Sequence, residues 1–197
     1  RLIWQLGLRG RADEAVWKRD KSVPLDDGGR GALISDAIFT QYGIISETLG
    51  GKDFLSTATL WLEGARLYGG GHLRLPDSTI AIFSDIGLDQ MLGDDFYSVK
   101  RRKDRKYGIY YHVAFYSRGP HLADTCNPLK MDFSYKEANK YDSLTYSIVN
   151  VSNVRPLHYS VTANAELMKD AEAFDYEKFA DEFHRFHFGE AAELAEA

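Results

Sequence analysis

Six polar side chains stand at or close behind apolar runs, and together they could do acid–base chemistry on a sugar. Arg9 and Asp13 follow Leu2–Leu8, Glu63 follows Leu60-Trp61-Leu62, and Asp85 follows Ile80–Phe83. His112 sits within Tyr107–Ser117, and Asn150, with Asn153 after it, closes Thr145–Val151. Polar residues after strands are common, because connecting loops face water. A recurrence behind five successive apolar runs is harder to assign to solvation alone. His112 is either a satisfied core histidine or part of a site, since a buried ring without a partner costs roughly 1–3 kcal/mol. Its place in the series favours the site.

Carboxylates with a histidine, an arginine and an amide suit glycoside hydrolysis. That reaction needs one protonated and one ionised carboxyl flanking the glycosidic bond. Burial and like-charge neighbours can separate two such carboxyls in pKa. A competing use of Glu63, Asp85 and His112 is as ligands of a divalent ion, although no short H-x-H ligand motif accompanies them. His184 and His187, three residues apart, lack a carboxylate to complete a metal set. A serine nucleophile is disfavoured by the absence of a G-x-S-x-G elbow.

The elements that must hold these groups alternate. Strands are expected at Leu2–Leu8, Thr57–Leu62, Thr79–Phe83, Tyr107–Ser117 and Thr145–Val151, by their β-branched and aromatic content. Helices are expected at Ala32–Leu49, Ala65–Gly71, around Tyr135–Lys140 and at Phe174–Phe188, with one turn at Leu88–Leu92. Gly28, Gly29 and Gly31 read as a loop, and Tyr176, Phe179, Phe183 and Phe186 as a core-facing stripe. Lys100–Lys106 is a basic run that reads as a solvated loop. Alternating strands and helices imply parallel strands with right-handed crossovers. Without a G-x-G-x-x-G behind any strand, a dinucleotide fold is disfavoured. Two solutions are open, a doubly wound sheet or a (β/α)8 barrel, and in either one the strand ends would bring the polar groups to one edge or face. Five units are the C-terminal part of such a barrel. The chain opens on strand-like sequence, so it is expected to be a piece of a longer polypeptide.

The 197 residues carry a formal charge of −5, which argues against general nucleic-acid binding. Hydrophobic content of 44% and aromatic content of 13% fit a globular core, and the many rings also suit carbohydrate surfaces. No apolar run approaches the roughly 20 residues of a membrane-spanning helix, so no membrane partner is expected. Cys126 is the sole cysteine, so no intrachain disulfide can form.

An ordered set of short motifs resembles glycoside hydrolase family 115. The set is Leu6-Gly-Leu-Arg9-Gly10 with Asp13, Leu62-Glu63, Leu75-Pro76-Asp77 leading to Asp85, Gly108-Ile-Tyr-Tyr-His112, Gly119-Pro120 with Asn127, and Ile148 to Pro156. It spans nearly the whole chain. The resemblance implies an inverting α-glucuronidase that removes glucuronic or 4-O-methylglucuronic acid from xylan or a related plant polysaccharide. It implies a TIM-type barrel over residues 1–189, leading into a helical domain that begins at 190–197. By the same resemblance Glu63, Asp13 and Asp85 are the catalytic carboxyls, and Arg9, His112 and Asn150 bind substrate, with Arg9 on the uronate carboxylate. No cofactor or metal is implied. The partner is a polysaccharide or oligosaccharide, a homo-oligomer is compatible with the sequence, and a secreted or periplasmic location follows from the substrate. The chain departs from the family pattern at Ile86-Gly87, Ala123, Thr125 and Ser152-Asn153, positions expected to touch sugar. These departures imply a divergent specificity. A non-catalytic carbohydrate-binding barrel and a metal-dependent barrel hydrolase are the alternatives.

Overall fold

A computed structural model describes residues 2–11, 14–115 and 123–195. Among them five strands form one sheet in the order β1-β2-β3-β4-β5: Ile3–Leu6, Leu55–Leu60, Ile80–Ser84, Tyr107–His112 and Tyr146–Asn150. The first four pair in parallel, with Leu6 opposite Ala58, Leu60 opposite Phe83 and Ser84 opposite Tyr110. Backbone bonds from Thr145 to Tyr107 and from Val113 to Asn150 run β4 and β5 in the same direction. The order advances one strand at a time, without the reversal that marks a doubly wound sheet. Consecutive parallel neighbours are what successive β/α units produce.

The helices are α1 (Asp27–Thr48), α2 (Glu63–Gly69), α3 (Asp94–Ser98), α4 (Pro128–Lys140), α5 (His158–Lys169), α6 (Tyr176–Phe188) and α7 (Ala192–Ala195). α1 begins five residues before the expected Ala32 and takes in the glycines read as a loop. Asp26 caps it, accepting the Gly29 N–H at 2.8 Å. Gly31 is required there, because a Cβ would lie 2.3 Å from the His72 carbonyl oxygen. Leu88–Leu92 is a turn closed by the Ile86 N–H on the Met91 carbonyl, and the helix comes later, as α3. α4 starts at Pro128 behind an Asn127 cap that accepts from the Leu129 N–H. α5 was not expected. Its buried positions, Ser160, Ala163, Asn164 and Leu167, have helical spacing but only one large apolar side chain.

Two compact units are present. The first comprises residues 1–84, 92–110 and 145–147. Its core lies on β3, all of whose residues are buried, as in a strand covered on both faces. Phe83 packs edge-on against Phe96 at 5.6 Å and stacks with Tyr107 at 6.1 Å. Arg101 lies over Phe83 and Phe96 at 4.3 and 4.5 Å. Arg105 is 6% exposed and donates to the carbonyls of Leu75, Pro76 and Thr79. The basic run is therefore partly built into the core rather than solvated throughout.

The second unit comprises residues 85–91, 111–144 and 148–197. Tyr111, Met131, Tyr135, Ala163 and Leu167 are fully buried in it. Tyr111 meets Tyr135 edge-on at 5.7 Å, and Asn164 donates to the Tyr135 hydroxyl. On α6 the aromatic stripe is only partly core. Phe179 is buried, but Phe186 is 84% exposed. Among the described residues no helix is long and apolar enough to cross a membrane.

Candidate active site

Arg9 follows β1, and Glu63 is the first residue of α2, three positions past β2. Arg9 Nη1 donates to Glu63 Oε1 at 2.7 Å, with the two side chains 30% and 20% exposed. A charge-assisted bond of this length is among the stronger ones. The chain reaches Glu63 through an unusual residue. Leu62 has φ 39° and ψ −94°, and its side chain is 66% exposed. A leucine at positive φ costs on the order of 1–3 kcal/mol, and such strain clusters at functional positions. Here it sets the sharp turn from strand to helix that aims Glu63. Arg66, one turn later, binds both carboxylate oxygens of Asp27 and ties α2 to the start of α1.

Two half-buried rings lie toward the exits of β2 and β4. Trp61 follows β2 directly and lies 6.2 Å from Tyr110 of β4. Sequence reasoning treated Trp61 only as part of an apolar run. Its position two residues before a carboxylate at a strand exit was the available signal, because aromatic faces suit sugar rings. Below them Gln5 bridges Thr59 and Thr57, at 2.7 and 2.9 Å, in a polar layer between β1 and β2.

In the second unit, Asp85 directly follows β3 and His112 ends β4. Their side chains are 0% and 3% exposed. Asp85 Oδ1 lies 2.5 Å from His112 Nδ1 and also accepts the Gly87 N–H at 2.9 Å. Its other oxygen accepts the His112 backbone N–H at 2.8 Å. An acceptor already committed to two backbone N–H groups is set up to take a third bond from Nδ1. That arrangement fixes the tautomer and orientation of the ring and leaves Nε2 as the nitrogen not engaged by Asp85. Gln90 supports the same strand end, its amide donating to the His112 carbonyl at 3.0 Å. Gly87, with φ +77°, is demanded here, because a Cβ would lie 2.7 Å from the Phe115 ring. Burial pushes the neighbouring Tyr111 phenol well above its ordinary range, aided by Cys126 and Asp85, so it stays a neutral hydroxyl.

Asn150 ends β5, and its carbonyl accepts the N–H groups of Val113 and Ala114, both at 3.1 Å. Asp13 lies outside the described residues, as do Gly119 and Pro120. The structure thus joins Arg9 to Glu63 and Asp85 to His112. Among the described residues no three His, Cys, Asp or Glu side chains converge as a metal-ion site, and this includes Glu63, Asp85 and His112. His184 is instead stacked on Tyr159 at 5.7 Å, and His187 meets His158 edge-on at 4.9 Å.

Parallel strands joined by helices, with an arginine–glutamate pair behind β1 and β2 and an aspartate–histidine pair behind β3 and β4, define an α/β protein. The family model for glycosyl hydrolase family 115 matches residues 1–197, and the chain belongs to that family. A solved structure described as a novel family GH115 4-O-methyl-α-glucuronidase, BtGH115A, with specificity for decorated arabinogalactans, is similar in fold, with a TM-score of 0.78 at 16% identity. The match covers 97% of this chain and 25% of that one, so the chain spans about a quarter of that protein's length. Comparison with curated protein sequences gave no match.

Proposed function

We propose that this chain is the C-terminal part of a (β/α)8 catalytic barrel that removes glucuronic or 4-O-methylglucuronic acid from a plant polysaccharide with inversion. The Arg9–Glu63 pair carries the reading. Glu63 is a carboxyl presented at a strand exit by a strained turn, and Arg9 beside it offers a guanidinium to a uronate carboxylate. In an inverting reaction one carboxyl protonates the leaving oxygen as the glycosidic C–O bond breaks. The second carboxyl takes a proton from the water that attacks the anomeric carbon from the other face, at a separation of roughly 6.5–9.5 Å. Glu63 fills one role and Asp13 is our candidate for the other. Asp85, buried and bonded to His112, acts as a positioning residue for that ring, and His112 and Asn150 are our candidates for binding substrate.

Residues 190–197 begin a following helical segment in this reading. Both xylan and arabinogalactan side chains are candidate substrates, the second because the fold neighbour is described as acting on decorated arabinogalactans. Such polymers lie outside the cytoplasm, so the enzyme is assigned a secreted or periplasmic place.

The test uses the full-length protein on glucuronic-acid-substituted xylo-oligosaccharides and on glucuronic-acid-capped arabinogalactan fragments. Release of the β-anomer from an α-linked substrate, followed by proton NMR, is expected from at least one. Glu63→Gln should lower that rate by about 10²–10⁴-fold, the range for loss of a positioned acid or base. No uronic acid from either substrate, or a Glu63→Gln rate within about threefold of the parent, overturns the proposal.

A further inference from the structure

The first unit has a second feature that the proposed reaction does not use. A cleft of about 510 Å³ lies at the opposite end of the strands from Arg9 and Glu63, among the segments that lead into β3 and β4. Four cations line it, Arg74, Lys100, Arg102 and Arg105, against one carboxylate, Asp77. The protein as a whole is negative, with a formal charge of −5, so this concentration of positive charge runs against its average.

The cations differ in how far they are neutralised. Arg102 is paired twice, with Asp104 at 2.5 Å and Asp77 at 3.2 Å. Arg105 is also within 3.5 Å of Asp77, but Asp77 is 81% exposed and serves both arginines. The Arg105 side chain is only 2% exposed and its guanidinium donates to the carbonyls of Leu75, Pro76 and Thr79, so the cations open to a ligand are Arg74 and Lys100. Arg74 and Lys100 have no carboxylate partner among the described residues. Two rings complete the lining. Tyr68 packs edge-on against Phe83 at 6.5 Å, and Phe39 is 45% exposed on α1.

A cleft with surplus guanidinium and ammonium groups beside aromatic faces has the two elements that an acidic sugar requires. The cations bind the carboxylate, and the rings take the apolar C–H face of the pyranose. We infer that this cleft is a second binding site, one that holds a uronate-bearing saccharide chain away from the hydrolytic centre. The inference rests on the acidic-polysaccharide reading above. It adds a holding function: a long decorated polymer would be gripped at one end of the strands while side chains are removed at the other.

The experiment titrates oligogalacturonate, a uronate chain without a glucuronic side chain to cleave, into the full-length protein by calorimetry. Neutral xylotetraose and inorganic phosphate are the controls. The wild-type protein and Glu63→Gln should bind oligogalacturonate alike. The double variant Arg74→Ala/Lys100→Ala should bind it at least about tenfold more weakly, with its thermal transition unchanged. Both replaced side chains are exposed, so folding is not at stake. Equal binding by the double variant and the wild type overturns the inference, as does no binding at millimolar concentration. Phosphate binding as tightly as the saccharide would show a simple anion site and also overturn it. Uronic acid release by a protein that fails this titration would leave the proposed function standing alone. Saccharide binding without any release would leave the cleft standing alone.

Discussion

The Arg9–Glu63 and Asp85–His112 pairs each join a carboxylate to a nitrogen base at strand exits, and they differ in how much protein holds them. Arg9 and Glu63 keep 30% and 20% of their side chains in water, and one 2.7 Å bond links them. Asp85 and His112 are almost wholly buried, and the Asp85 carboxylate carries three bonds, two of them from backbone N–H groups. On the proposed function, the first pair is the one for which a uronate carboxylate would compete. The second cannot rearrange without breaking the ends of two strands. Pairs of like chemistry at strand exits are thus held to different degrees, one partly in water and one preset by buried backbone donors.

The largest effect that would break the comparison is at Asp85. Removing one member of a buried, hydrogen-bonded pair costs about 3–5 kcal/mol. Asp85→Ala should therefore lower the denaturation midpoint strongly, because the His112 ring and the N–H groups of His112 and Gly87 lose their acceptor together. Urea denaturation of the variant measures it. A loss below about 1 kcal/mol would mean that Asp85 is no more structural than Glu63.

How much of this was legible beforehand follows the same division. The strands were readable because Ile80–Ser84 and Tyr107–His112 are runs of apolar and aromatic residues, and their polar exits came with them. Residue spacing alone did not reveal that Asp85 and His112 form one unit while Arg9 and Glu63 form another. Those pairings depend on which strands are neighbours, and the separation of 54 positions between Arg9 and Glu63 hides a contact that exists because β1 lies beside β2. The strained Leu62 was invisible too, since a leucine gives no sign of positive φ. α5 escaped because its buried face is built from Ser160, Ala163 and Asn164, which carry helical spacing without hydrophobic contrast. The opposite error came at Phe186, whose spacing fits the α6 stripe but whose ring is in solvent. Asp13 lies beyond the described residues, so its place rests on the motif alone.

A smaller effect would sharpen the comparison from the other side. Leu62→Gly relieves a positive φ that costs on the order of 1–3 kcal/mol, and it adds back roughly 0.5–1 kcal/mol of glycine entropy. The net expectation is a gain of about 1 kcal/mol in stability. The turn that aims Glu63 becomes less constrained, so turnover should fall while the fold strengthens. Thermal denaturation and initial rates on the same preparation report both. A variant that is less stable than the parent would show that Leu62 is held by packing, despite its exposed side chain, and that strain is not what sets the turn.

The smallest effect on stability belongs to Arg9. Its bond to Glu63 lies at a partly solvated position, where an ion pair contributes about 0–1 kcal/mol. Arg9→Ala should leave the denaturation midpoint within that range, and 1 M salt, which shortens the screening length to about 3 Å, should narrow the difference further. The Asp85 variant provides the contrast, because a buried pair is screened much less and its deficit should persist in salt. Activity should separate the two in the other direction. On the proposed function, Arg9 binds the uronate carboxylate, so KM for a glucuronic-acid substrate should rise without it, while a substrate carrying the uronate as its methyl ester should be nearly indifferent to the change. If Arg9→Ala instead destabilises the protein by more than about 2 kcal/mol, the Arg9–Glu63 bond is structural. The difference between an exchangeable pair and a fixed one would then no longer describe these two strand exits.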